Sequence, residues 1–272
     1  ASEGPVDGVS AVRLERLRAQ ARLQLLQGDS GESAASDGVR REVIDADVLR
    51  RLPRPSPGDI FFDFEGDPLW SERGSSVWGL EYLFGLVEVD HLDQDPTAAP
   101  RFTAFWAHDR AAEKRALEDF VAHVRARRQR WPDLHIYHYA PYEVAALTRL
   151  AARHSTCEDA SDDLLRDGVF VDLYATVRGG IRVGQRSYSI KKLEPLYMGA
   201  RTAEVQKGDD SIVEYHRFRA ARDADRVDAA EQILAGIAAY NEEDCISTWR
   251  LRDWLVDRAR EQLQRLTPPD DA

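Results

Sequence analysis

Residues 59–68 read Asp-Ile-Phe-Phe-Asp-Phe-Glu-Gly-Asp-Pro. The apolar and aromatic run predicts a β-strand, with Gly66 and Pro68 as its stop. Asp63 and Glu65 lie two positions apart within it, so alternation sends both carboxylates to one face of the strand. Strand interiors disfavour Asp and Glu, and a buried carboxylate without a partner is costly. A hard cation bound through oxygen removes that cost. The alternative is a surface strand whose one side is polar.

The remaining pattern supplies the frame for this strand. Residues 11–27 carry Val12, Leu17, Leu23 and Leu26 among the apolar positions of an amphipathic helix. A Gly/Ser/Asp-rich stretch, 28–38, reads as a link, and 40–52 as a short helix ended by prolines 53, 55 and 57. Further strands are expected at 79–89, 101–107, 135–139 and 169–174. Helices are expected over 109–130, from Pro141, and in one long pattern from Val227 to Leu266. This order predicts an α/β domain with a mixed sheet over residues 58–266, preceded by a helical extension and linker over 1–52.

Composition excludes several classes. No apolar run approaches the ~18 residues of a membrane span. The two cysteines, Cys157 and Cys245, form no CxxC pair, which argues against a zinc or iron–sulfur centre and suits reduced thiols in a cytoplasmic protein. The chain opens Ala-Ser-Glu-Gly-Pro, with neither an initiator Met nor a signal region, and is expected to be a piece of a longer polypeptide. A net charge of −11 is unlike the basic footprint of most nucleic-acid binders. A metal-dependent nuclease is the permitted exception, because its acids are neutralised when the cation binds.

Two further segments carry candidate chemistry. Tyr240 and Asp244, in Tyr-Asn-Glu-Glu-Asp, are four apart on a strongly helical segment and share a face. They read as a phenol beside a carboxylate ligand, or as an anchor within a solvated acidic face. In His-Tyr-Ala-Pro-Tyr-Glu, 138–143, a strand ends and Pro141 suits the first turn of a helix. Glu143 then falls where the helix dipole favours an acid, as a ligand or as a plain cap. His138 reads as a hydrogen-bonded support. Asp172, at a strand end, reads as a supporting turn cap, with a metal ligand as the alternative.

Taken in order, these pieces resemble the DEDDy branch of the DnaQ-like 3′→5′ exonucleases, over about residues 58–260. The carriers are D-x-E at 63–65, the strand-to-helix turn with Tyr142 and Glu143, and Tyr-x₃-Asp at 240–244. Asp-Leu at 172–173 resembles the family's strand end, and YSIKKLEPLYMG, 188–199, its helix before a substrate loop. His138 stands where Asn is usual and Glu143 where Asp is usual. The sister branch has His five residues before the last Asp; here the nearest upstream is His216. FxDFEGDP and HYxxYE most resemble the YprB-like ribonuclease-H-type domains found inside larger nuclease–helicase proteins of the RecB-like group.

The resemblance implies a ribonuclease-H-like mixed five-stranded sheet flanked by helices. It implies hydrolysis at a DNA or RNA 3′ end with release of 5′-mononucleotides, with no membrane involved. It also implies two Mg²⁺ or Mn²⁺ ions about 3.5–4 Å apart, one on Asp63, Glu65 and Asp244, the other on Asp63 and Glu143, with Tyr240 assisting. Arg178, Lys191, Lys192 and Lys207 are candidates for substrate phosphates, or are solubilising charge. Phe64 and Tyr142 are candidates for stacking on the last base, or are core. The rival function is an idle nucleic-acid-binding module in a larger motor protein.

Overall fold

The computed structural model describes residues 4–28, 39–90, 99–199 and 208–266. In chain order it begins with helix α1 (Ala11–Gly28), strand β1 (Arg41–Val43) and helix α2 (Ala46–Arg50). Strands β2 (Ile60–Ser71), β3 (Trp78–Glu88) and β4 (Arg101–Trp106) follow, then helix α3 (Arg110–Arg130). Next come β5 (Ile136–His138), α4 (Tyr142–His154), α5 (Glu158–Arg166), β6 (Phe170–Asp172) and α6 (Leu173–Gly180). The chain then forms β7 (Ile181–Val183), the one-turn α7 (Ile190–Leu193), α8 (Gly208–Asp223) and the 40-residue α9 (Val227–Leu266). None of the described helices is long and apolar enough to cross a membrane.

Two compact units divide these elements. The first comprises Ala1–Leu52, Tyr174–Gly199 and Asp253–Ala272; the second, Pro53–Leu173 and Ala200–Arg252. In the second unit the mixed five-stranded sheet has the order β4-β3-β2-β5-β6. β3 is antiparallel to β2 and to β4, whereas β5 is parallel to β2 and to β6. This is the expected ribonuclease-H-like arrangement. Alternation along β2 explains its position at the centre. Ile60, Phe62 and Phe64 enter a core shared with Leu117, Phe120, Leu147 and Leu150 of α3 and α4. Phe61, Asp63 and Glu65 therefore belong to the opposite face, where Phe61 stacks on Tyr137 and meets Trp249 of α9.

α9 is held to that face by a polar anchor. Asp59, fully buried, accepts hydrogen bonds from the backbone of Ser56 and His135 and from Arg252. Asn241, Cys245, Thr248, Trp249 and Arg252 are buried at helical spacing, so one stripe of α9 lies on the sheet. A second core joins α8 and the start of α9 to β3, with Tyr215 stacked on Tyr82 at 3.8 Å.

Three local expectations change. Gly66 and Pro68 do not stop β2. The strand continues to Ser71 through two register irregularities, the second of which contains Pro68, where a missing ladder donor is tolerated. A β-carbon at residue 66 would run into the Glu81 carboxylate, which explains the glycine. Residues 40–52 are not one helix, because Arg41–Val43 pair antiparallel with Ile181–Val183 before α2 begins. The strand expected at 169–174 is shorter, since α6 starts at Leu173.

In the first unit α1 forms as expected, yet it has no buried residue, and Val12, Leu17 and Leu26 are exposed. It is tied down by polar contacts instead: Gln20 donates to the Val183 carbonyl at 2.8 Å, and Gln27 accepts from the Arg40 amide at 2.7 Å. The expected link lies, beyond Gly28, outside the described residues.

Candidate functional site

The second unit brings three acids from two distant segments together. One carboxylate oxygen each of Asp63, Glu65 and Asp244 lie within 4.8 Å of one another. β2 supplies the first two from one face, and α9, crossing that face, supplies the third. Glu143, at the start of α4, is near enough for its charge to act on the Asp63 carboxyl. Tyr240, one helical turn before Asp244, is buried and donates its hydroxyl to Asp244.

The acids perturb one another strongly. The Asp63 carboxyl is pushed well above the usual carboxylate range by burial first, then by the charges of Asp244, Glu65 and Glu143. Burial, reinforced by Asp244, Glu65 and Asp63, likewise raises the Tyr240 phenol. The Cys245 thiol, buried on the same stripe of α9, is raised for the same reasons. A group of mutually repelling oxygen donors at close quarters, partly buried, matches what a hard divalent cation requires. The residues present therefore fit such an ion.

Supports that sequence reasoning passed over fix the orientation of two of these acids. Asn241, fully buried, donates to Asp63 Oδ2 at 3.0 Å. It reaches the strand because Gly85, the cross-strand partner of Asp63, has no side chain; a β-carbon there would overlap the Asn241 amide. Ser211 of α8 donates to Glu65 Oε2 at 2.7 Å and shares a second hydrogen bond with the Tyr82 hydroxyl. A polar residue three positions before Asp244 was a visible signal for Asn241, whereas nothing local marked Ser211.

The turn between β5 and α4 is also built from candidate residues. His138 Nδ1 lies 2.8 Å from the Ala140 carbonyl and 3.1 Å from Glu143 Oε2. A carbonyl only accepts, so Nδ1 carries the proton and donates. Ala140 adopts φ 79°, a strained left-handed conformation for a residue with a side chain. Asp172 steadies it by accepting from the Ala140 amide at 3.0 Å.

The substrate candidates divide between the two units. Phe64 takes the core alternative, its ring packed edge-on against Phe62 and Phe84 and buried, so it is closed to a base. Tyr142 leaves 47% of its surface exposed while its hydroxyl donates to Glu81, which Arg149 also contacts. Arg178, Lys191 and Lys192 belong to the first unit, where Arg178 lies over the rings of Tyr174 and Tyr188. Lys207 lies outside the described residues.

No curated protein and no solved structure matches this chain. A family model described as the RNase_H superfamily matches residues 60–256, a span containing β2, the acids and most of α9. Membership suggests nuclease-type activity on nucleic acid with divalent metals, and by this match the chain belongs to the RNase_H superfamily.

Proposed function

We propose that this chain is a divalent-cation-dependent 3′→5′ exonuclease that releases 5′-mononucleotides from a DNA or RNA 3′ end. We further propose that it works within a larger nuclease–helicase polypeptide and belongs to the tyrosine branch of DnaQ-like enzymes, close to YprB-like domains. One observation carries the reading: Asp63, Glu65 and Asp244 converge with Tyr240 hydrogen-bonded to Asp244. The Tyr-x₃-Asp spacing thereby gains a spatial meaning that an acidic surface face would not need.

In this reading Asp63, Glu65 and Asp244 hold one Mg²⁺ or Mn²⁺, and Asp63 with Glu143 holds a second. Such ions supply Lewis acidity toward the phosphodiester and its attacking water. The chain's own groups orient and shield. Tyr240, kept protonated by burial and by the acids around it, gives its one O–H to Asp244, so its oxygen aligns the attacking water by accepting a hydrogen bond from it and does not act as the base that takes its proton. Asn241 and Ser211 hold Asp63 and Glu65 in their ligand rotamers. His138 holds Glu143, and Asp172 braces the turn that carries it.

The test is a time course on 5′-labelled single-stranded DNA and RNA with Mg²⁺, Mn²⁺ or EDTA, using free and blocked 3′ ends. Stepwise shortening that needs metal and stops on blocked ends is the expected result. Internal cuts on blocked strands would make the same centre an endonuclease. Binding without any metal-dependent product would make it an idle module.

A further inference from the structure

The first unit contains a cleft of ≈580 Å³ that none of the acids above lines. Arg40 and Arg41 of the β1 segment line it, with Trp254 and Arg258 from the last part of α9. The guanidinium groups of Arg41 and Arg258 each lie 5.6 Å from the Trp254 ring centre. The two acids at the cleft are already engaged: Glu42 accepts from Arg182, and Glu261 pairs with Arg258. Arg41 is exposed and has no acid partner among the described residues. Arg258 Nε is buried without a hydrogen-bond partner, a donor left unused inside the protein.

Charge is divided unequally between the units. The first carries 16 Lys and Arg against 15 Asp and Glu; the second carries 21 against 33. The acidic second unit repels a polyanion except where cations neutralise it. The first does not, and its cleft gathers planar guanidinium groups around an indole. Guanidinium forks match phosphate oxygens, and an aromatic face beside them suits a nucleobase. A carboxylate ligand would use the arginines but leave the tryptophan without a purpose.

We propose that this cleft binds a nucleotide unit of single-stranded nucleic acid, with phosphate on Arg41 and Arg258 and the base against Trp254. The inference goes beyond the nuclease reading, since such binding requires neither metal nor hydrolysis. The same chemistry could come from a free mononucleotide, and the experiment separates the two sources.

Fluorescence anisotropy with short 5′-labelled single-stranded DNA and RNA is measured in EDTA, between about 50 and 200 mM salt. Arg41→Gln/Arg258→Gln is expected to weaken binding at least tenfold. It should also reduce the slope of log K against log salt by about 1.4, the share of two phosphates on a single strand. Trp254→Ala should weaken binding about tenfold, with Trp254→Phe restoring most of it. Should the double variant fold poorly, Arg41→Gln alone, at an exposed position, is expected to give about half the change in slope. Wild-type affinity and slope in the folded variants would overturn the assignment. Adenosine or uridine monophosphate displacing the strand at equal affinity would overturn it as a strand site and leave a free-nucleotide site. Because no hydrolysis occurs in EDTA, the outcome is separate from that of the exonuclease assay.

Discussion

Asn241 Nδ2 stands 3.0 Å from Asp63 Oδ2, a hydrogen bond from α9 to β2 that joins residues 178 positions apart. It is possible only because Gly85, across the ladder from Asp63, leaves the space empty. One contact thus ties helix to strand and fixes the direction of a carboxylate that three other acids press upon.

Asn241→Ala should therefore weaken Mn²⁺ binding about tenfold, since a hydrogen bond to a charged group contributes roughly 1.5–3 kcal/mol. Titration followed by electron paramagnetic resonance measures it. Gly85→Ala should lower Tm and activity together, and adding Asn241→Ala should recover part of the Tm. A fully additive double variant would mean that the two positions do not share that space.

Asp63→Asn or Asp244→Asn should abolish metal-dependent hydrolysis without unfolding the chain. The sign of the stability effect follows from Asp63. Its folded pKa is raised, by burial and then by neighbouring acids, so its favourable contribution is full at low pH and is lost as pH rises through the folded value. In EDTA the Tm of the unsubstituted protein should fall on going from acidic to mildly alkaline pH, and Asp63→Asn should flatten that fall. With Mg²⁺ at a hundredfold excess over Kd, only the unsubstituted protein should gain about 2.7 kcal/mol. Thermal melts over pH, with and without metal, test all three statements.

Tyr240→Phe should slow hydrolysis by about two orders of magnitude while leaving metal affinity near its original value. Because burial and three carboxylates hold the phenol above its ordinary pKa, the rate should show no alkaline limb from its ionisation below about pH 10. Single-turnover rates against pH would reveal such a limb.

Stability on the acid side should depend on a different cluster. Burial works to raise the Glu88 carboxyl, but the hydrogen bond from His123 and the charge of Arg127 outweigh it and hold it below its usual range. Asp90 is lowered too: burial opposes, and the hydrogen bond and charge of Arg127 prevail. Depressed carboxyls contribute stability above their unfolded pKa and lose it as pH falls through the folded value. Arg127→Met, which leaves the buried Glu88 short of a partner, should cost about 3–5 kcal/mol at pH 7. The deficit should shrink toward pH 3, as read by denaturant unfolding.

The parts of the fold legible in sequence were those with a local signature. The aromatic alternation of β2, the apolar spacing of α3 and the long period of α9 each announced an element because each packs one regular face. Asp63 and Glu65 stood out because acids interrupt that strand. The β1–β7 pair did not, since its three-residue strands are defined only by partners some 140 residues apart. The exposure of α1 was hidden for a related reason. Its apolar spacing looks like that of any packed helix, whereas its anchors, Gln20 and Gln27, act through side-chain hydrogen bonds. Ser211 is the clearest case in the site, because a serine becomes a support for Glu65 only when α8 lies over β2.

Anomalous diffraction from crystals soaked in Mn²⁺ tests most directly whether acids from β2 and α9 act as one cation site. A peak within coordinating distance of Asp63, Glu65 and Asp244 together, lost in Asp244→Asn, is expected. Full soaking with no peak there, or a peak that persists without Asp244, would contradict it.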